Sequence, residues 1–152
     1  MSYFECYPGE GRILIGRPQG ANARHEYGPQ VAQYSGWACA YCGRDLLTSY
    51  ESWLDLQIDH VVPTCSIKRG FREDWVEAIA NCVVCCAACN AFLNRYPINF
   101  DKPPLTEEAF FKLRDEVFED KRRKALKRHA EERIYWEQKK SEWSVRACVG
   151  RN

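Results

Sequence analysis

Residues 82–90 read Cys82-Val83-Val84-Cys85-Cys86-Ala87-Ala88-Cys89-Asn90, two cysteine pairs laid end to end, each with two residues between its sulfurs. That spacing lets both sulfurs of a pair reach one ion from a tight turn. A matching knuckle lies far upstream at Cys39-Ala40-Tyr41-Cys42, followed by Gly43. Two knuckles complete a tetrahedral set of four thiolates, which suits zinc and leaves no open coordination position. Such a site is structural: it pins two distant segments together, and its binding free energy becomes folding free energy. By spacing alone, either Cys82 and Cys85 or Cys86 and Cys89 can supply the second knuckle.

The composition agrees with metal rather than disulfides. The chain has 152 residues and nine cysteines, an odd number that cannot pair completely within one chain. Its start, MSYFECYPGEGR, lacks a basic segment followed by an apolar one, and no run of about 18 apolar residues occurs. The expectation is a cytoplasmic protein with no membrane span, where reducing conditions favour metal ligation over disulfides. Cys6, Cys65 and Cys148 stand alone and read as free thiols, and whichever pair is spared reads as core. The formal net charge is +1. It is distributed as zero over residues 1–38, −2 over 39–100 and +3 over 101–152.

Three parts follow: an N-terminal extension over residues 1–36, a core over 37–100 holding both knuckles, and a helical extension over 101–152. The first part is rich in Gly and Pro, with Ile13-Leu14-Ile15 as an edge strand. Between the knuckles lies Leu56-Gln57-Ile58-Asp59-His60-Val61-Val62-Pro63, which reads as a strand ending near Pro63. A carboxylate binds hard cations through oxygen, and an imidazole takes protons near neutral pH, so Asp59-His60 is a candidate for chemistry. Neighbouring side chains on a strand face opposite ways, so both serve one site only if the strand ends or bends there. A short helix is expected over Asp74–Ile79.

The C-terminal part begins a helix near residue 104, with Thr106 as N-cap and Glu107 and Glu108 favoured by the helix dipole. Apolar positions recur at Phe110, Leu113 and Val117, then at Leu126, Ala130 and Ile134. The basic block Lys121-Arg122-Arg123-Lys124 separates the two sets and invites a break near residue 120. That block reads first as a solvated face laced with i,i+4 ion pairs such as Asp120–Lys124. His25 and His129 read as exposed, and Trp136 and Trp143 as covers for the domain.

The order Cys39-x-x-Cys42, Ile58-Asp59-His60-Val61-Val62-Pro63, Asn81, Cys86-x-x-Cys89-Asn90 resembles the zinc-containing branch of the HNH endonuclease family over residues 37–96. The resemblance selects Cys86 and Cys89 as the second knuckle. It implies an α+β fold with a ββα-metal (His-Me finger) core, stapled by zinc on Cys39, Cys42, Cys86 and Cys89. It further implies that Asp59 and Asn90 hold a catalytic Mg2+ or Mn2+, that His60 is the general base activating water, and that Asn81 holds the loop carrying that base through hydrogen bonds to backbone. The expected activity is hydrolysis of DNA phosphodiesters to 5′ phosphate and 3′ hydroxyl. The alternative is a non-catalytic zinc-stabilised module that binds nucleic acid or protein. Where the family often has a substrate-facing lysine, this chain has Leu93, and Arg95 is the candidate replacement. The long C-terminal helix is where a homodimer contact is expected.

Overall fold

A helix, α1 (Tyr27–Ser35), opens the computed structural model, which describes residues 22–149, with side chains at all of these except 34, 35 and 146–149. The Ile13–Ile15 strand expectation, Cys6 and the Cys148 side chain lie outside that description. Little in the local sequence signals α1, because Gly28 and Pro29 are helix breakers by propensity. Pro29 falls in the first turn, where its missing N–H costs nothing. Gly28 is required by crowding: a Cβ there would lie 1.5 Å from the Ala23 carbonyl oxygen and 3.3 Å from a Leu56 methyl. The helix packs on a hairpin through the fully buried Val31 and Ala32.

That hairpin pairs β1 (Leu56–His60) with β2 (Cys82–Cys86) antiparallel, in the register Leu56 to Cys86, Ile58 to Val84 and His60 to Cys82. A short α2 (Tyr50–Leu54) leads into β1, and the Ser49 hydroxyl caps it by accepting from the Ser52 N–H. β1 stops at His60, short of Pro63, because Val61 and Val62 turn inward and bond to Asn81. The connection holds a 3-10 turn (Thr64–Arg69), α3 (Glu73–Val76) and a second 3-10 turn (Ile79–Asn81). The helix expected over Asp74–Ile79 therefore ends earlier, at Val76. The carbonyl of Val76 accepts from Asn81 Nδ2 at 2.7 Å instead of continuing a helical ladder.

α4 (Ala87–Leu93) follows β2 without a linker and packs on β1. The last element, α5 (Glu107–Val149), runs 43 residues, about 65 Å at 1.5 Å per residue. Thr106 Oγ1 accepts from the Ala109 N–H at 3.2 Å, the cap its position suggested. The break expected near residue 120 does not occur. A buried stripe continues through it as Phe110, Arg114, Val117, Phe118, Lys121 and Ala125. The second apolar set is different: Leu126, Ala130 and Ile134 are exposed. Two buried cations thus carry the helix's inner face where an apolar count loses it. Beyond the core, Trp136 and Trp143 are half exposed and meet only residues of α5 itself among the described contacts, Trp136 beneath Lys140 at 4.4 Å and Trp143 edge-on to Tyr135 at 5.9 Å. The architecture is α+β: a two-stranded sheet between helices, with one long C-terminal helix. No described helix is long and apolar enough to cross a membrane.

Candidate functional site

Cys39, Cys42, Cys86 and Cys89 bring their sulfurs within 4.8 Å of one another. Four sulfurs around zinc at about 2.3 Å stand about 3.8 Å apart, and the Cys42 and Cys86 sulfurs are 3.8 Å apart. Every cysteine whose side chain is described is a free thiol. The first knuckle turns at Gly43, whose φ of 77° lies in the left-handed region and whose N–H donates to the Cys39 carbonyl at 2.8 Å. The second knuckle straddles the start of α4, where Cys86 Sγ accepts from the Cys89 N–H at 3.5 Å. Strand alternation decides between Cys85 and Cys86: adjacent residues of β2 face opposite sides, so only one can join this cluster. Burial pushes the Cys82 thiol up to about 12 and the Cys85 thiol up as well, keeping both neutral. In the cluster, hydrogen bonds from Cys86 and Cys89 hold the Cys39 thiol far down, and Cys86 is pushed up to about 11 by donating to Cys39. Four thiols at this spacing, sharing hydrogen bonds with one another, fit a structural zinc ion.

His129, expected to be exposed, is half buried on α5 with Nε2 3.2 Å from Cys89 Sγ and its ring 5.0 Å from that of Phe92. The long helix therefore closes over the second knuckle. His25 lies exposed as expected, edge-on to Trp53 at 5.4 Å.

Asn81 is wholly buried at the start of β2. Its Oδ1 accepts from the Val62 N–H at 2.9 Å, and its Nδ2 donates to the carbonyls of Val62 at 2.9 Å and Val76 at 2.7 Å. Its backbone carbonyl accepts from the Val61 N–H at 2.8 Å. Asn81 thus holds both residues after His60, Val62 through its side chain and Val61 through its backbone carbonyl. His60 itself is half buried, with Nε2 3.9 Å from Glu77 Oε2. The sequence did not single out Glu77; only the turn after α3 sets a carboxylate beside the imidazole.

Asp59 points to the other side of β1, as strand alternation requires. Its Oδ2 accepts from Lys121 Nζ at 2.7 Å and from the Tyr41 hydroxyl. Lys121, on α5, is 1% exposed and also donates to the His60 carbonyl at 3.1 Å. Tyr41 sits between the first two cysteines, buried, with its ring stacked on Phe118 at 5.5 Å. Burial, then the Asp59 charge, raises its pKa, so it remains a neutral donor. The donor types, a carboxylate and the Asn90 amide, suit a hard divalent cation. As arranged, Oδ2 is taken by an ammonium and a hydroxyl, which leaves Asp59 Oδ1 and the Asn90 amide oxygen without a hydrogen-bond donor among the described residues and open to such a cation. Neither Tyr41 nor Lys121 was singled out in the sequence. Tyr41 is masked by its role as spacer in a knuckle, and Lys121 by membership of a charge run.

Asn90 lies half buried in the second turn of α4, the helix packed on β1. Arg95 is exposed just past that helix. A groove between α4 and α5 is lined by Ala91, Phe92, Lys124, Lys127, Arg128 and Glu131. Its cations pair along α5, Lys124 with Asp120 at 2.8 Å and Arg128 with Glu132 at 2.6 Å, the solvated pattern the charge run suggested. Comparison of the chain with protein-family models, curated proteins and solved structures gives no match.

Proposed function

We propose that the protein is a zinc-stapled HNH endonuclease that hydrolyses DNA phosphodiester bonds. The observation that carries the reading is the Asn81 clamp: a buried amide spends two hydrogen bonds on the backbone of Val62, two residues after His60, and a third on the Val76 carbonyl of α3. A loop held that way positions an imidazole, and His60 is the side chain it positions. In this reading β1, β2 and α4 form the ββα-metal core. Neutral His60 takes the proton from an attacking water, and Glu77, 3.9 Å from Nε2, steadies the imidazolium that forms. Asp59 and Asn90 are the residues that would hold Mg2+ or Mn2+, whose chemistry is to neutralise charge developing on the phosphate and the leaving oxygen. The groove of Lys124, Lys127 and Arg128 beside α4 suits the phosphate backbone, because exposed ion pairs of this kind contribute about 0–1 kcal/mol and exchange readily for phosphate.

The second reading is a non-catalytic zinc module, and one observation favours it: the Asp59 carboxylate is already paired with Lys121. Plasmid cleavage by wild type and His60→Ala, with Mg2+, Mn2+ or EDTA, separates the two. Cleavage by wild type alone, abolished by EDTA, supports the nuclease. Absence of cleavage by a folded, zinc-loaded wild type favours the module.

A further inference from the structure

Lys121 is a buried ammonium, and burying one costs several kcal/mol unless a charge and hydrogen bonds compensate. Its partners are not a generic set. Nζ lies 2.7 Å from Asp59 Oδ2 and 3.1 Å from the backbone oxygen of His60, so both go to the two residues on which the proposed chemistry depends. The stem rises from α5 between Val117 and Ala125, both buried, and Nζ stands 5.6 Å from the centre of the Tyr96 ring. Tyr41 brings a second donor to the same carboxylate oxygen, and its own ring is packed on Phe118 of α5. The long helix therefore delivers a cation to Asp59 and also braces the neutral donor beside it.

A carboxylate oxygen held by an ammonium and a hydroxyl has the charge neutralisation that a divalent ion would give it. Both donors sit on Oδ2, so a divalent ion taken up at Oδ1 would face the ammonium's charge across the same carboxylate. We infer that Lys121 is an internal competitor for the cation position at Asp59: it neutralises the carboxylate when no divalent ion is bound, and an ion taken up there binds against the ammonium's charge. The inference rests on the nuclease reading in taking Asp59 as a cation ligand. It adds that divalent affinity in this chain is lowered by a cation delivered from α5.

The test measures Mn2+ binding to the zinc-loaded protein by electron paramagnetic resonance of the free ion. Wild type is compared with Lys121→Met, which keeps the stem and removes the charge, and with Lys121→Gln, which keeps a donor for the His60 carbonyl. Zinc content and a thermal melt identify a variant that fails to fold, in which case the other supplies the comparison. At least tenfold tighter Mn2+ binding than wild type is expected, lost again when Asp59→Asn is added. Equal binding by wild type and the folded variants overturns the inference, as does tighter binding that survives Asp59→Asn. If binding is equal while wild type cleaves plasmid in a His60-dependent way, only the competitor idea falls. If none of the proteins binds Mn2+ and wild type does not cleave, the nuclease reading falls with it.

Discussion

Replacing Asn81 by alanine removes one side chain and strands three buried backbone groups: the N–H and carbonyl of Val62 and the carbonyl of Val76. A buried polar group left without a partner costs about 1–3 kcal/mol. The low end applies, because a carbonyl keeps a second lone pair, which gives about 3 kcal/mol for the three groups together. Against a total of about 5–15 kcal/mol this is a large share. At about 3 °C per kcal/mol for a chain of this size, the melting temperature should fall by roughly 9 °C. Urea unfolding followed by tryptophan fluorescence and circular dichroism, in excess zinc, gives both the midpoint and the slope. The midpoint should fall at unchanged slope. Asn81→Asp is the informative companion. It keeps an oxygen to accept from Val62 but turns a second oxygen toward two carbonyls, so it should be no more stable than Asn81→Ala. A loss within about 0.5 kcal/mol for Asn81→Ala, the range of an ordinary surface change, would refute the claim that this amide holds the chain after His60, and the nuclease reading would lose its main support.

Cys86→Ser should lose zinc and the cooperative melt, whereas Cys85→Ser should retain one zinc per chain by atomic absorption; zinc retained by Cys86→Ser would reverse the assignment of the second knuckle. Zinc binding at pH 7 should release at least the two protons that Cys86 and Cys89 hold above neutrality, so affinity should rise with pH. Calorimetry in buffers of different ionisation enthalpy counts those protons, and release of fewer than two would contradict the thiol pattern. His129→Ala should speed zinc loss to a chelator severalfold, because it removes the ring packed at 3.2 Å from Cys89 Sγ. An unchanged rate would make that contact incidental.

Local sequence information was sufficient wherever chemistry and spacing coincide within a few residues. The two knuckles, the Thr106 cap, the strand read from Leu56 toward Pro63 and the spacing of Phe110 and Val117 are all of this kind. Each depends on backbone geometry that a few consecutive residues fix by themselves. Spacing alone left Cys82/Cys85 and Cys86/Cys89 open; the family resemblance selected the latter pair, and the pairing of β2 supplies the physical reason, since a one-residue shift on a strand turns a side chain to the opposite face. α1 stayed hidden because Gly28 and Pro29 are helix breakers by propensity, and only contact with Ala23 and Leu56 makes the glycine necessary. The partners of Asp59 and His60 were hidden for a further reason. Tyr41, Glu77 and Lys121 are 18, 17 and 62 positions from the residue each one faces, and a polar side chain in sequence gives no sign of whether it meets water or a carboxylate. Residue spacing by itself was enough to nominate Cys39 and Cys42, with one of the two downstream pairs, as a metal set, because each knuckle is a local turn. Tertiary packing decided which cation Asp59 holds, because the long helix carries Lys121 into the one position where its burial is offset by that charge.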